Sequence, residues 1–213
     1  LLPNLVDTKK FKKKDSIQLV KEPNTINISI LIVARLEDKI KGISAFIKSI
    51  SYSECFRKNF NIKIVGDGPD KEKIQQLINK KNLSKNINLI GSFEYDEVAN
   101  LMGKADVFCL PSFSDSSPLS LVEAAFSQLP LIASKYCGNH QELLEHKKNG
   151  FLIDPMDSQT SIDAIDWLYK NRSQLRDIGN FSREIAERNY EPESIIEKLV
   201  LSLKSFNYIG NEY

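Results

Sequence analysis

Six short apolar runs, at residues 29–34, 62–65, 87–90, 106–110, 131–133 and 151–153, recur along the chain, and the stretches between them carry a different period. Ile43, Phe46, Ile47 and Ile50 stand at i, i+3, i+4 and i+7; Ile74, Leu77 and Ile78 repeat the spacing, as do Val98, Leu101 and Met102. That period is one face of a helix, whereas a run that is apolar at nearly every residue suits a strand buried on both faces. Strand and helix therefore alternate, which predicts an α/β fold: a doubly wound, Rossmann-like parallel sheet with helices on each side.

The ends of the chain read differently. Residues 1–27 are polar and basic, with Lys9, Lys10, Lys12, Lys13 and Lys14 around Phe11, and show no sustained period. They predict a linker or arm, as a solvated tail in the plainer reading and as a segment drawn to an anionic membrane surface in the other. Past Asp154, Ile162, Ile165 and Leu168 predict one helix and Leu175, Ile178 and Ile185 another. Pro192 marks a break before a last amphipathic pattern, Ile195, Ile196, Leu199, Val200 and Leu203. The expected organisation is an arm at 1–27, a sheet domain at 28–190, and a terminal helix at 191–213 whose apolar face needs a partner.

Composition narrows the function. A chain of 213 residues holds one sizeable domain with extensions. A formal net charge of +1 argues against a general polyanion-binding surface, so nucleic acid is not an expected partner. Cys55, Cys109 and Cys137 are an odd set without metal-type spacing, which points to a reducing compartment. His140 and His146, six apart, do not present both rings to one metal, and no Asp-x-Asp pair occurs. No apolar run reaches the length of a membrane span and no signal peptide precedes the first apolar residues, so a cytoplasmic protein is expected. The first residue is Leu1 rather than methionine, and a fragment of a longer protein is the expectation.

In a parallel sheet of this kind, ligands bind outside the carboxyl ends of the strands. The loops there begin at Ala34, Gly66, Gly91, Pro111 and Ser134. They bring Arg35 and Lys41 after the first strand, Gly66, Asp67, Gly68 and Pro69 after the second, and Gly138 after the fifth. After the fourth comes the sequence L-P-S-F-S-D-S-S-P-L-S-L-V-E-A-A at 110–125. Here Ser117 is placed to cap a helix and Pro118 to occupy its first turn, giving an anion site at residues 117–119. Asp115 lies in the loop and Glu123 inside the helix, so a phosphate ester carrying hydroxyl groups is a natural guest for this rim. Plainer readings stand beside this one. Ser120, Glu123 and Ser127 form a polar stripe like the solvent face of any amphipathic helix; Asp115 suits a turn; and Arg35 suits the surface. Gly66-Asp67-Gly68 lacks the third glycine of a dinucleotide fingerprint, Lys71 standing there, and a tight turn accounts for the pair.

Taken in order, Arg35-Leu36 with Lys41-Gly42, Val65-Gly66-Asp67-Gly68-Pro69, Gly91-Ser92-Phe93, Ala105-Asp106-Val107, Leu110-Pro111-Ser112, Asp115 with Glu123-Ala124, Gly138 with Glu142, and Asn149-Gly150-Phe151 with Asp154-Pro155 resemble a known pattern. It is that of the donor-binding half of the retaining GT-B glycosyltransferases of family four, over residues 29–157. The resemblance implies sugar transfer from a nucleotide sugar, expected to be UDP-linked, to a glycan or lipid-linked acceptor in surface polysaccharide synthesis. Arg35 and Lys41 match the pair that neutralises the donor diphosphate, and Glu123 matches the acid on the ribose. Asp115 matches the acid beside the sugar, and Gly91, Ser92 and Phe93 match the loop near the base. With Gly66, Ser117, Pro118 and Leu119 these residues form the expected binding set, Asp115, Arg35 and Lys41 being the catalytic ones. Neither a metal nor a further cofactor is expected. The acceptor site would lie in another, N-terminal half, and the inner face of the membrane would be the second possible location. This chain departs from the pattern at Asp115 for glutamate, at Asn139 for a second glycine, and by one residue in the Arg35–Lys41 interval. A nucleotide-sugar epimerase of the same architecture and a nucleotide-binding protein without catalysis are the competing expectations.

Overall fold

The computed structural model describes residues 6–12, 27–191, 193, 195, 196 and 199–201. Six strands, β1 (Ile28–Val33), β2 (Phe60–Val65), β3 (Ile87–Gly91), β4 (Val107–Leu110), β5 (Leu131–Ser134) and β6 (Gly150–Ile153), form one parallel sheet in the order β3-β2-β1-β4-β5-β6. Every residue of β4 and β5 is buried, as their unbroken apolar runs predict, whereas β2 exposes Lys63 and the edge strand β3 exposes Asn88.

The helices α1 (Asp38–Lys41), α2 (Ile43–Ile50), α3 (Glu54–Asn59), α4 (Lys71–Lys80), α5 (Tyr95–Lys104), α6 (Leu119–Phe126), α7 (His140–Leu143), α8 (Ser158–Lys170) and α9 (Leu175–Tyr190) follow along the chain. Alternate residues of β1 feed two cores, as the strand period of two requires. Ile30 and Ile32 join Ile43, Phe46, Phe56, Ile74 and Ile165 on one face of the sheet. Leu31 joins Met102, Leu121, Phe126 and Tyr190 on the other. The sheet is thus covered on both sides.

Strand order reverses at β1, and the chain leaves β1 and β4 in opposite lateral directions. The register between these two holds two pairs, Ile30 with Val107 and Leu31 with Phe108, so their last residues have no registered partner across the gap. A crevice at such a switch point is where doubly wound sheets take ligands.

The ends of the chain modify the expectation. Residues 6–12 are not a solvated tail: Val6 and Phe11 are buried in the second core, and Lys10 pairs with Asp96 at 2.6 Å. The rest of the predicted arm, 1–5 and 13–26, lies outside the described residues, as does Leu203. Residues 193, 195, 196 and 199–201 are helical; Ile195 is buried, while Ile196, Leu199, Val200 and Leu201 are exposed. No helix among the described residues is long and apolar enough to cross a membrane.

Candidate functional site

The loops at the carboxyl edge of the sheet are tied to one another by backbone hydrogen bonds. Leu36 N–H donates to the Asp67 carbonyl at 2.9 Å and Asp70 N–H to the Leu36 carbonyl at 3.0 Å, joining the loops after β1 and β2. Gly66 N–H donates to the Gly91 carbonyl at 2.8 Å, joining the end of β3 to the same turn. Gly66 has φ 140°, and a Cβ there would collide with the Ala34 carbonyl oxygen, so this crossing requires glycine. Phe113 and Ser114 N–H both donate to the Ile40 carbonyl, at 2.7 and 3.2 Å, and hold the loop after β4 against α1. Gly42, at φ 63°, lets the chain turn from α1 into α2 directly under Pro111. Asp115 N–H donates to the Tyr136 carbonyl at 3.3 Å and Gly138 N–H to the Asp115 carbonyl at 2.7 Å, closing the belt onto the loop after β5.

This scaffold fixes the charged groups. Lys41 Nζ donates to Asp115 Oδ2, and both side chains are mostly buried, 20% and 15% exposed. Two residues expected to act on different parts of one ligand thus face each other across the crevice. Arg35 is not with them: its side chain is 73% exposed and lies 3.7 Å from Glu37. The expected pairing of Arg35 with Lys41 at a single point is therefore absent from this conformation.

Glu123 corrects the solvent-stripe reading. It is 7% exposed, and Ser127, on the same stripe, is fully buried. The helix α6 packs on α7, α9, β4 and β5, so no side of it beyond the first turn reaches water. Burial pushes the Glu123 carboxyl up to about 7, and the Tyr95 hydroxyl beside it works the other way by favouring the charged form. The same neighbourhood pushes the Tyr95 phenol up to about 12, burial first and the Glu123 charge second.

The cap of α6 also differs from expectation. Pro118, at φ −67° and ψ 115°, is the capping residue and the helix begins at Leu119; Ser117 lies one residue outside and makes no side-chain cap. The Pro118 carbonyl instead accepts from Asn139 Nδ2 at 3.2 Å. That bond gives Asn139 a structural task, tying the start of α6 to the start of α7, where the family pattern would have glycine. Nothing in the sequence marked Asn139 as more than a replacement. Leu119, Ser92 and Phe93 are exposed on the rim.

Two other residues of the pattern have structural tasks. Asn149 is fully buried, its amide donating to the Leu143 carbonyl at 2.7 Å and its oxygen accepting from Glu145 N–H at 2.7 Å. Glu142 accepts from the Tyr190 hydroxyl and so joins α7 to α9. Cys137 is bridged to Asp115 through the backbone, and its thiol is pushed up to about 11, by burial first and by the Asp115 charge second, which disfavours the thiolate.

A doubly wound parallel sheet with the Lys41–Asp115 pair at its switch-point crevice and α6 starting beside it has the architecture of a GT-B domain. The chain belongs to the family described as glycosyl transferases group 1, which it matches over residues 12–185. Among its relatives, N-acetyl-alpha-D-glucosaminyl L-malate synthase of Bacillus anthracis is 26% identical over 203 residues, covering 92% of this chain and 50% of that protein. The putative colanic acid biosynthesis glycosyltransferase WcaL of Salmonella typhimurium is 26% identical over 193 residues, covering 87% and 47%. Among solved structures, Anabaena HepE in complex with UDP and glucose superposes with a TM-score of 0.77 at 22% identity, covering 95% of this chain and 55% of that one. The chain spans about half the length of the relatives it matches.

Proposed function

We propose that this chain is the donor-binding half of a retaining glycosyltransferase that takes a sugar from a UDP-linked donor. The acceptor is a glycan or a lipid-linked acceptor of surface polysaccharide synthesis. The observation that carries the proposal is the crevice itself, where the Lys41–Asp115 pair is held by a backbone-tied rim, and the buried Glu123 lies in α6, the helix that follows this rim. Relatives named for sugar transfer and a structural neighbour that holds UDP and glucose support it.

In this reading the donor diphosphate lies across the N-terminus of α6, whose first N–H groups have no partner within the helix. Lys41 moves from Asp115 to the phosphates, and Arg35, free to swing at the surface, closes over them. The two cations offset the charge that develops on the leaving phosphate without a metal ion, and because the loops are already held, little reorganisation accompanies that step. Released from Lys41, the Asp115 carboxylate accepts from hydroxyl groups of the sugar. Glu123 accepts from the ribose, and Phe93 offers a face to the base. The acceptor oxygen attacks from the side the diphosphate leaves, and the other half of the protein supplies that oxygen and excludes water.

Calorimetric titration with UDP tests this. A charge-assisted hydrogen bond is worth roughly 1.5–3 kcal/mol, so Lys41→Ala should weaken binding by about tenfold to a hundredfold. Arg35→Ala should weaken it less, because the more exposed group gains less from the contact. Undiminished binding in both variants would remove the diphosphate from this crevice.

A further inference from the structure

We infer that Tyr95 is a positioning residue for Glu123 and that the N-terminal segment at residues 6–12 holds Tyr95 in place, which makes this segment part of the nucleotide site. The inference rests on the proposed role of Glu123 as the ribose ligand.

The segment is anchored by one side chain. Between Lys10 and Lys12, in a stretch with no apolar period, Phe11 is fully buried. Its ring meets Tyr95 edge to face, with centroids 5.3 Å apart and planes at 80°. Lys10 stands over the same Tyr95 ring at 5.5 Å and pairs with Asp96, the next residue of α5. Tyr95 is therefore gripped on its ring by two consecutive residues of a segment 84 and 85 positions earlier in the chain. At the other end its hydroxyl meets two groups: the Asp7 backbone acts on it as a hydrogen-bond partner, and the Glu123 carboxyl lies beside it. The path runs from Asp7 and Phe11 through one phenol to the buried acid.

The arrangement suits the task. A buried carboxylate needs a donor to keep its charge and its direction, and a tyrosine hydroxyl supplies both. Tyr95 begins α5 and remains 43% exposed, so α5 alone does not fix its ring. The edge-to-face contact with Phe11 restricts that ring. A change in the position of residues 6–12 would therefore be read at Glu123, and donor affinity would respond to the segment.

The test is calorimetric titration of the chain with UDP between pH 5.5 and 8.5, using Tyr95→Phe, which keeps the ring packing, and Phe11→Ala, with Phe11→Leu as the conservative control. Tyr95→Phe should weaken binding about tenfold at pH 7, and its fall in affinity on acidification should begin at higher pH than in wild type. Phe11→Ala should shift the profile in the same direction, and Phe11→Leu should restore most of the loss. In a Glu123→Gln background, Tyr95→Phe should change affinity less than twofold. Lys58→Ala, which removes an exposed ion pair with Glu54 away from this segment, should stay within twofold. Wild-type affinity and pH profile in Tyr95→Phe, with binding weakened in Glu123→Gln, would overturn the inference and leave the donor site standing. No loss in Glu123→Gln would overturn the ribose assignment and the inference together.

Discussion

Glu123 should make the protein less stable than it could be. In the folded chain burial raises its carboxyl from 4.5 to about 7. The folded state therefore holds a proton that the unfolded state has released between those values, and stability falls as pH rises through that window. The cost is complete above about pH 7. Integrating over the two values gives about 3 kcal/mol at pH 8 and about 1 kcal/mol at pH 5. Glu123→Gln keeps the shape and can still pair with Tyr95 but cannot ionise. For a domain of this size about 1 kcal/mol corresponds to roughly 2–4 °C, so the variant should melt about 6–12 °C above wild type at pH 8 and about 2–4 °C above it at pH 5. Paired thermal melts in the two buffers check this, and referring the variant to wild type at each pH removes the titration of every other group. Equal gains at both pH values, or a loss at pH 8, would refute a carboxyl titrating in a buried site. A gain in stability combined with weaker nucleotide binding would mark Glu123 as kept for its ligand.

Two more perturbations follow from the rim. Asp115→Asn frees Lys41 from its ion pair, so UDP affinity measured by calorimetry should be unchanged or up to about tenfold tighter, while sugar transfer by the full-length protein should fall much further than affinity changes. Gly66→Ala forces a side chain into the Ala34 carbonyl at a positive φ, so the variant should lose at least about 2 kcal/mol in denaturant unfolding.

The sheet was legible because its strands are buried on both faces. The apolar runs at 106–110 and 131–133 became β4 and β5 with every residue inside. The helices α2, α4, α5, α8 and α9 were legible from their period, whereas α1, α3 and α7, of four, six and four residues, are too short to show one. Glu123 was misread by its spacing, since a stripe of Ser120, Glu123 and Ser127 reports solvent only if one side of the helix is open. The Leu-Val and Ala-Ala-Phe flanking the acid were the signal that α6 is enclosed. Phe11 was hidden for the opposite reason: one aromatic among lysines carries no period, and its burial depends on α5, more than eighty residues away. The side-chain pairing of Lys41 with Asp115 had no local signal, being set by loops from two strands that only the topology brings together.

That a nucleotide lies in the crevice between β1 and β4 is tested most directly by a crystal structure of the chain with UDP. The expected density places the ribose hydroxyls within hydrogen-bond distance of Glu123, the diphosphate over the first turn of α6, and Lys41 turned from Asp115 toward the phosphates. A nucleotide bound elsewhere, or one in the crevice with Glu123 sealed behind Tyr95 and Lys41 still on Asp115, would contradict it.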